Sequence, residues 1–151
     1  MCLGNICRSP TAEGVLRAIV ARESPGSMVD VDSAGTAGYH VGEPPDRRTV
    51  AAARRRGYDL GGLRARQVQR DDFSRFNYVL AMDRANLAEL ERLRPEDSTA
   101  TLALFLEFTP ETNELEVPDP YYGGGEDFER VLDLCEIAAR GLLSRLASGA
   151  V

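Results

Sequence analysis

The sequence predicts an α/β domain in which a parallel β-sheet is flanked by helices. Stretches with helical periodicity alternate along the chain with short apolar strands, and strands separated by helices run parallel. The chain length of 151 residues suits one hydrophobic core that needs no covalent staples, so residues 1–151 are expected to form a single domain.

Each element has its own signal. Ser9 is the expected N-cap of the first helix, with Pro10 at its first position and Ala12, Val15, Leu16 and Ile19 at helical spacing. Met28 to Ser33 alternates like a strand, which Asp32-Ser33-Ala34-Gly35 breaks. Asp46 to Arg56 reads as a helix that stops at Gly57. Phe76 to Met82 is a buried strand, followed by a helix carrying Leu87, Leu90 and Leu93. Thr99 to Leu106 gives a further strand. The last helix sets Phe128, Val131, Leu132, Cys135, Ala138, Leu142 and Leu146 on one stripe, which makes Cys135 a core cysteine. The arginines at 47–48 and 54–56 read as a solvated helix face.

Composition excludes several classes. Hydrophobic content of 43% and charged content of 28% are ordinary for a globular protein. No run approaches the roughly 20 apolar residues that span a bilayer, so no membrane association is expected. A formal charge of −6 argues against nucleic acid as the main partner. The three cysteines, with two of them close together at the N-terminus, argue against a disulfide framework and for the cytoplasm. Beyond Cys2 and Cys7 only Cys135 and His40 offer soft ligands, so no metal site is expected.

The chemistry lies in two strings. Cys2-Leu3-Gly4-Asn5-Ile6-Cys7-Arg8-Ser9-Pro10 places a thiol and a guanidinium six positions apart, around a tight turn and directly before a helix start. Backbone N–H groups of such a turn form an anion nest, and the helix N-terminus adds a dipole of the same sense. Arg8 can grip two phosphoryl oxygens bidentately. This positive environment favours a Cys2 thiolate, and Ser9 can offer its hydroxyl to that sulfur. Asn5 tolerates left-handed backbone angles and can shape the turn. Far downstream, Val117-Pro118-Asp119-Pro120-Tyr121-Tyr122 holds a carboxyl between two prolines that restrict the backbone. Asp119 there is a candidate general acid, and Tyr121 and Tyr122 can line a slot for a flat ring.

Together these strings resemble the low-molecular-weight protein tyrosine phosphatases, whose signature is Cys-x5-Arg-Ser. Gly4, Asn5, Cys7, Ser9, Pro10 and Thr11-Ala12-Glu13 continue the family pattern, and the resemblance runs essentially from Cys2 onward. It implies a doubly wound, phosphotyrosine protein phosphatase I-like fold and a two-step phosphomonoesterase without cofactor. Cys2, Arg8 and Asp119 would be catalytic, and Leu3, Gly4, Asn5, Ile6, Cys7, Arg8 and Ser9 would hold phosphate or another oxyanion. Tyr39 joins Tyr121 and Tyr122 as the expected substrate cleft, and Ser33 and Asp83 are expected supports of the loop. The implied partners are phosphotyrosine-bearing proteins. Cys7 is either a small buried filler or a redox partner that protects Cys2 through a reversible disulfide.

The sequence departs from the family pattern in two places. Relatives carry a short apolar strand immediately before the nucleophile, whereas only Met1 precedes Cys2 here, so the first strand is expected to be missing or truncated. A histidine that supports the loop asparagine in relatives is replaced: Leu63 stands two positions before Ala65, with Arg64 between. Three other functions compete. An arsenate reductase needs a resolving cysteine pair, and Cys135 stands alone. A protein arginine phosphatase tends to carry threonine at the place of Ile6. A non-catalytic phosphotyrosine-binding module would follow if the missing strand misaligned the loop.

Overall fold

The structure is a computed structural model that describes residues 1–149; positions 150 and 151, the last two of the expected domain, lie outside the described residues. Its elements are α1 (Arg8–Glu23), α2 (Arg47–Arg55), α3 (Asp72–Arg75), β1 (Tyr78–Ala81), α4 (Arg84–Leu93), β2 (Thr101–Leu104), a 3₁₀ turn (Phe105–Phe108) and α5 (Gly125–Ala147). β1 and β2 pair in parallel, with Tyr78 opposite Thr101 and Ala81 opposite Leu104. Beyond β1 the sheet continues only at its C-terminal edge. Met1 donates its amino group to the Leu80 carbonyl at 2.8 Å and accepts from the Met82 N–H at 3.0 Å. Cys2 then bridges Gly35, and Gly35 bridges Gln67, both in parallel.

Helices cover both faces, as the doubly wound reading requires. On one face α1, α2 and α5 pack over a core that includes Val15, Ile19, Leu60, Leu132 and Cys135. On the other, α3 and α4 close a second cluster around Phe73, Val79, Leu90 and Leu104. Burial of that many aliphatic side chains, at about 1.5–3 kcal/mol each, is the main force holding the sheet between its helices.

Several boundaries differ from the expectations. Ser9 is not an N-cap: α1 begins at Arg8 behind Cys7, without a side-chain cap, because the Ser9 hydroxyl is engaged with Cys2 and Asn5. Asp46 does cap α2, accepting from the Arg48 N–H, and Gly57 follows with a φ of 86°. The strand expected to Leu106 stops at Leu104, where the chain tightens into the 3₁₀ turn.

Met28 to Ser33 forms no ladder, and Met28 is fully exposed. The strand it would pair with is represented only by Met1 and Cys2. In its place lies a cleft of about 660 Å³ between residues 29–33 and 76–80. Parallel pairing is found at Cys2, Gly35 and Gln67.

Candidate active site

Residues 2–9 form a loop that wraps back on Cys2. The turn is made possible by Asn5, whose φ of 59° is the only positive value at a non-glycine among the described residues. A short polar side chain lowers the cost of that conformation. The neighbouring chain must also come close. A Cβ on Gly35 would sit 2.7 Å from the Leu3 carbonyl oxygen, so only glycine fits beside the loop.

Asn5 also anchors the loop. Its Oδ1 accepts the Arg66 N–H at 3.0 Å, which fixes the amide orientation. Its Nδ2 then donates to Ser9 Oγ at 2.8 Å and to Ser33 Oγ at 2.9 Å. Because the Ser9 oxygen is an acceptor there, its hydroxyl proton is free to point at Cys2 Sγ, 3.0 Å away. The Asn5 N–H adds a second donor to the sulfur at 3.3 Å. The Ser33 hydroxyl donates to Glu13 Oε1 at 2.6 Å, and Arg17 pairs with Glu13 Oε2 at 2.8 Å. Burial pushes the Glu13 carboxyl above its ordinary range. Asn5 is thus held by the Arg66 backbone and by the Ser33–Glu13 pair.

The inside of the loop is rich in donors without acceptors. No protein acceptor meets the backbone N–H groups of Gly4, Ile6, Cys7 and Arg8 among the described residues. Ile6, Cys7 and Arg8 are buried, so orphan donors there call for an anion. The Arg8 side chain lies beside them. Its Nη1 donates to Asp83 Oδ2 at 2.6 Å and to the Val117 carbonyl at 3.0 Å, which holds the guanidinium flat and leaves Nε and Nη2 for a ligand. Asp83 also accepts the Asn86 N–H as the N-cap of α4, so one carboxylate positions both a helix and the arginine.

Asp119 comes in from the other end of the chain. Its Oδ2 lies 3.8 Å from Arg8 Nη2, and its side chain is half-exposed. Oδ1 accepts the Tyr121 N–H at 3.2 Å, a local turn between the flanking prolines. Arg48 secures the segment: it donates to the Tyr121 carbonyl at 2.9 Å and lies over the Tyr121 and Phe128 rings. Tyr121 and Tyr122 meet edge to face, with centroids 4.9 Å apart, and Tyr122 is 96% exposed. Tyr39 is 75% exposed on the segment that puts the His40 ring against Gly4.

The loop residues, Arg8, Asp119, Ser33 and Asp83 are therefore brought together. Tyr39 and Tyr122 stand out in solvent. Cys7 is buried and its thiol is pushed up to about 12. Arg48 and Glu13 support residues of this site and were not singled out from the sequence. Arg48 was read as part of a solvated face, and nothing in Asp46-Arg47-Arg48 marks which arginine turns towards residue 121. Glu13 had a signal, since a glutamate on the apolar side of α1 is unusual.

This geometry has close counterparts among known proteins. A family model described as low molecular weight phosphotyrosine protein phosphatase matches residues 1–150. A low molecular weight protein-tyrosine-phosphatase of Streptomyces coelicolor is 46% identical over 147 residues, covering 95% of this chain and 89% of its own. A Synechocystis protein named as a low molecular weight protein-tyrosine-phosphatase is 43% identical, covering 97% and 93%. Among solved structures, a protein tyrosine phosphatase of Entamoeba histolytica, with Hepes in its active site, superposes with a TM-score of 0.94 at 39% identity, covering 99% and 96%. An anion-ready loop carried on this fold, matched along nearly its whole length, places the chain in the low molecular weight phosphotyrosine protein phosphatase family.

Proposed function

We propose that the chain hydrolyses phosphotyrosine and other aryl phosphate monoesters through a phosphocysteine. The observation that carries this reading is the ring of unpartnered N–H groups around a sulfur already held by two donors. In the first step the Cys2 thiolate attacks phosphorus in line and the P–O bond to the aryl group breaks. The loop N–H groups and Arg8 hold the three equatorial oxygens. Asp119 gives its proton to the departing phenolate. In the second step water attacks the phosphocysteine, Asp119 takes the water's proton, and Cys2 leaves as thiolate with Ser9 donating to it. Positive charge comes from the loop and Arg8, so no step calls on a metal or cofactor.

Ile6 in the loop and Tyr121 next to the Asp119 turn offer apolar and ring surface for an aromatic ester. Phosphotyrosine-bearing proteins are the natural partners of such a cleft. No helix among the described residues is long and apolar enough to cross a membrane.

The test is hydrolysis of p-nitrophenyl phosphate and a phosphotyrosine peptide by this chain, Cys2→Ser and Asp119→Ala. Turnover should vanish with Cys2→Ser and fall about 10²–10⁴-fold with Asp119→Ala. Folded protein without turnover, or a Cys2→Ser variant that keeps it, contradicts the reading.

A further inference from the structure

Asp119 stands in the middle of a short span whose two ends are each tied by an arginine. At one end the Val117 carbonyl accepts from Arg8 Nη1 at 3.0 Å, and the Val117 N–H donates to the Met82 carbonyl at 2.8 Å. At the other end the Tyr121 carbonyl accepts from Arg48 Nη2 at 2.9 Å. Between these anchors Pro118 and Pro120 have fixed φ angles, so the span has few ways to bend. Asp119 Oδ1 accepts the Tyr121 N–H at 3.2 Å. A displacement of Tyr121 is therefore a displacement of the carboxyl.

The first anchor is the guanidinium that faces the phosphate position. The second reaches the phosphate loop by another route. Arg48 lies in the first turn of α2, whose N-cap is Asp46. Its Nε and Nη2 donate to the two Asp46 carboxylate oxygens at 3.1 and 3.0 Å, a two-pronged hold that fixes the guanidinium plane. The Asp46 N–H in turn donates to the Ile6 carbonyl at 2.9 Å. In a trans peptide the carbonyl and the N–H point in opposite directions, so this bond turns the Cys7 N–H towards the inside of the loop. Arg48 also lies over the Phe128 ring, 4.7 Å from its centroid, and over the Tyr121 ring at 5.6 Å. The side chain is half-exposed, yet a carboxylate, a carbonyl and two rings all fix its place, which a solvated ion pair on a helix would not require.

We propose that Arg48, clamped by Asp46, is the positioning residue that sets Asp119 at its working distance from the Cys2 loop. This role deepens the phosphatase reading and rests on it. Proton transfer to the leaving oxygen demands hydrogen-bond reach, and the half-exposed Asp119 carboxyl meets Arg8 Nη2 only at 3.8 Å. Cutting the Tyr121 anchor frees the carboxyl end of the span, while the Val117 anchor keeps Arg8 and the loop in place. What is lost is the acid, and not the anion site.

The test compares the parent with Arg48→Ala, Arg48→Lys, Asp119→Ala and the double variant Arg48→Ala/Asp119→Ala on two esters. p-Nitrophenol is the more acidic phenol, so its phosphate ester leans less on a general acid than phenyl phosphate does. In Arg48→Ala, kcat/KM for phenyl phosphate should fall roughly 10–10²-fold, and clearly less for p-nitrophenyl phosphate. Competitive inhibition by inorganic phosphate should change little. Arg48→Lys keeps a donor for the Tyr121 carbonyl without the two-pronged hold on Asp46, and should fall between parent and Arg48→Ala. In the Asp119→Ala background, Arg48→Ala should cost nothing further, because the group it positions is gone. Should Arg48→Ala not fold, the same comparisons are read from Arg48→Lys. Equal losses on the two esters, a further loss in the Asp119→Ala background, or phosphate inhibition weakened in step with turnover overturns the role. A parent that does not turn over, or one that turns over without Cys2, overturns the phosphatase reading and this role with it.

Discussion

At the scale of single residues, the account turns on how donors are distributed around one sulfur. Asn5 is decisive because it combines a left-handed backbone with two donors and one acceptor, all satisfied. Asn5→Gly should keep the loop's path and lose the hydrogen bonds, whereas Asn5→Ala loses both and adds about 1 kcal/mol of backbone strain. Both variants should therefore lose kcat, and thermal unfolding should show Asn5→Ala as the less stable. Equal stability would mean that the backbone angle is not what this residue supplies. The cysteines also separate. Burial pushes the thiols of Cys7 and Cys135 up to about 12, so at neutral pH both stay protonated. Peptide mapping after brief iodoacetate treatment at pH 7 should find the label on Cys2, blocked by inorganic phosphate, and not on Cys7 or Cys135.

At the scale of elements, two carboxylates connect helices to the site. Asp83 caps α4 and fixes Arg8. Replacing it by Asn keeps a capping side chain but removes the charge, leaving the buried guanidinium with half-exposed Asp119, 3.8 Å away, as its carboxylate partner. Asp83→Asn should cut kcat/KM sharply and destabilise the chain by about 3–5 kcal/mol, read from urea unfolding. Asp46 caps α2, and the Arg48 side chain bonded to it holds its carboxyl below the ordinary 3.8. A depressed folded value means stability that is present above the unfolded pKa and lost as pH falls through the folded one. Asp46→Asn should therefore be less stable than the parent at pH 7, and the gap should close on acidification below pH 4. A gap that persists in acid would show that the charge plays no part. Packing gives a further check: a Cβ on Gly141 would lie 2.0 Å from the Phe108 carbonyl oxygen, so Gly141→Ala should cost about 1–3 kcal/mol by pushing α5 off the 3₁₀ turn.

The same scale shows what a sequence can and cannot carry. Helices with strong stripes, such as α5, were legible because periodicity follows directly from burial. The loop was legible because Cys2, Asn5, Arg8 and Ser9 each have a distinct chemical reason to be there. Met28 to Ser33 was misread as a strand because strand formation depends on a neighbour that local pattern does not reveal. Ser9 was misread as a cap because its hydroxyl has better partners in space than in sequence. Arg48 escaped notice for a similar reason: its partner lies 73 residues away.

For the molecule as a whole, an acidic chain concentrates unpartnered backbone donors at one loop. The sheet delivers Cys2 at the carboxyl end of its middle position, between Gly35 and β1, while Asp119 arrives from beyond β2. Both faces are covered by helices, yet one strand position is held by two residues. α1 and α5 pack against each other on one face of the sheet. The most direct test of the central claim is rapid quenching of the chain with p-nitrophenyl phosphate in acid, followed by mass spectrometry of the peptide carrying Cys2. The account predicts a phosphoryl group on the Cys2 sulfur, absent from Cys2→Ser; turnover without that adduct, or an adduct on another side chain, would contradict it.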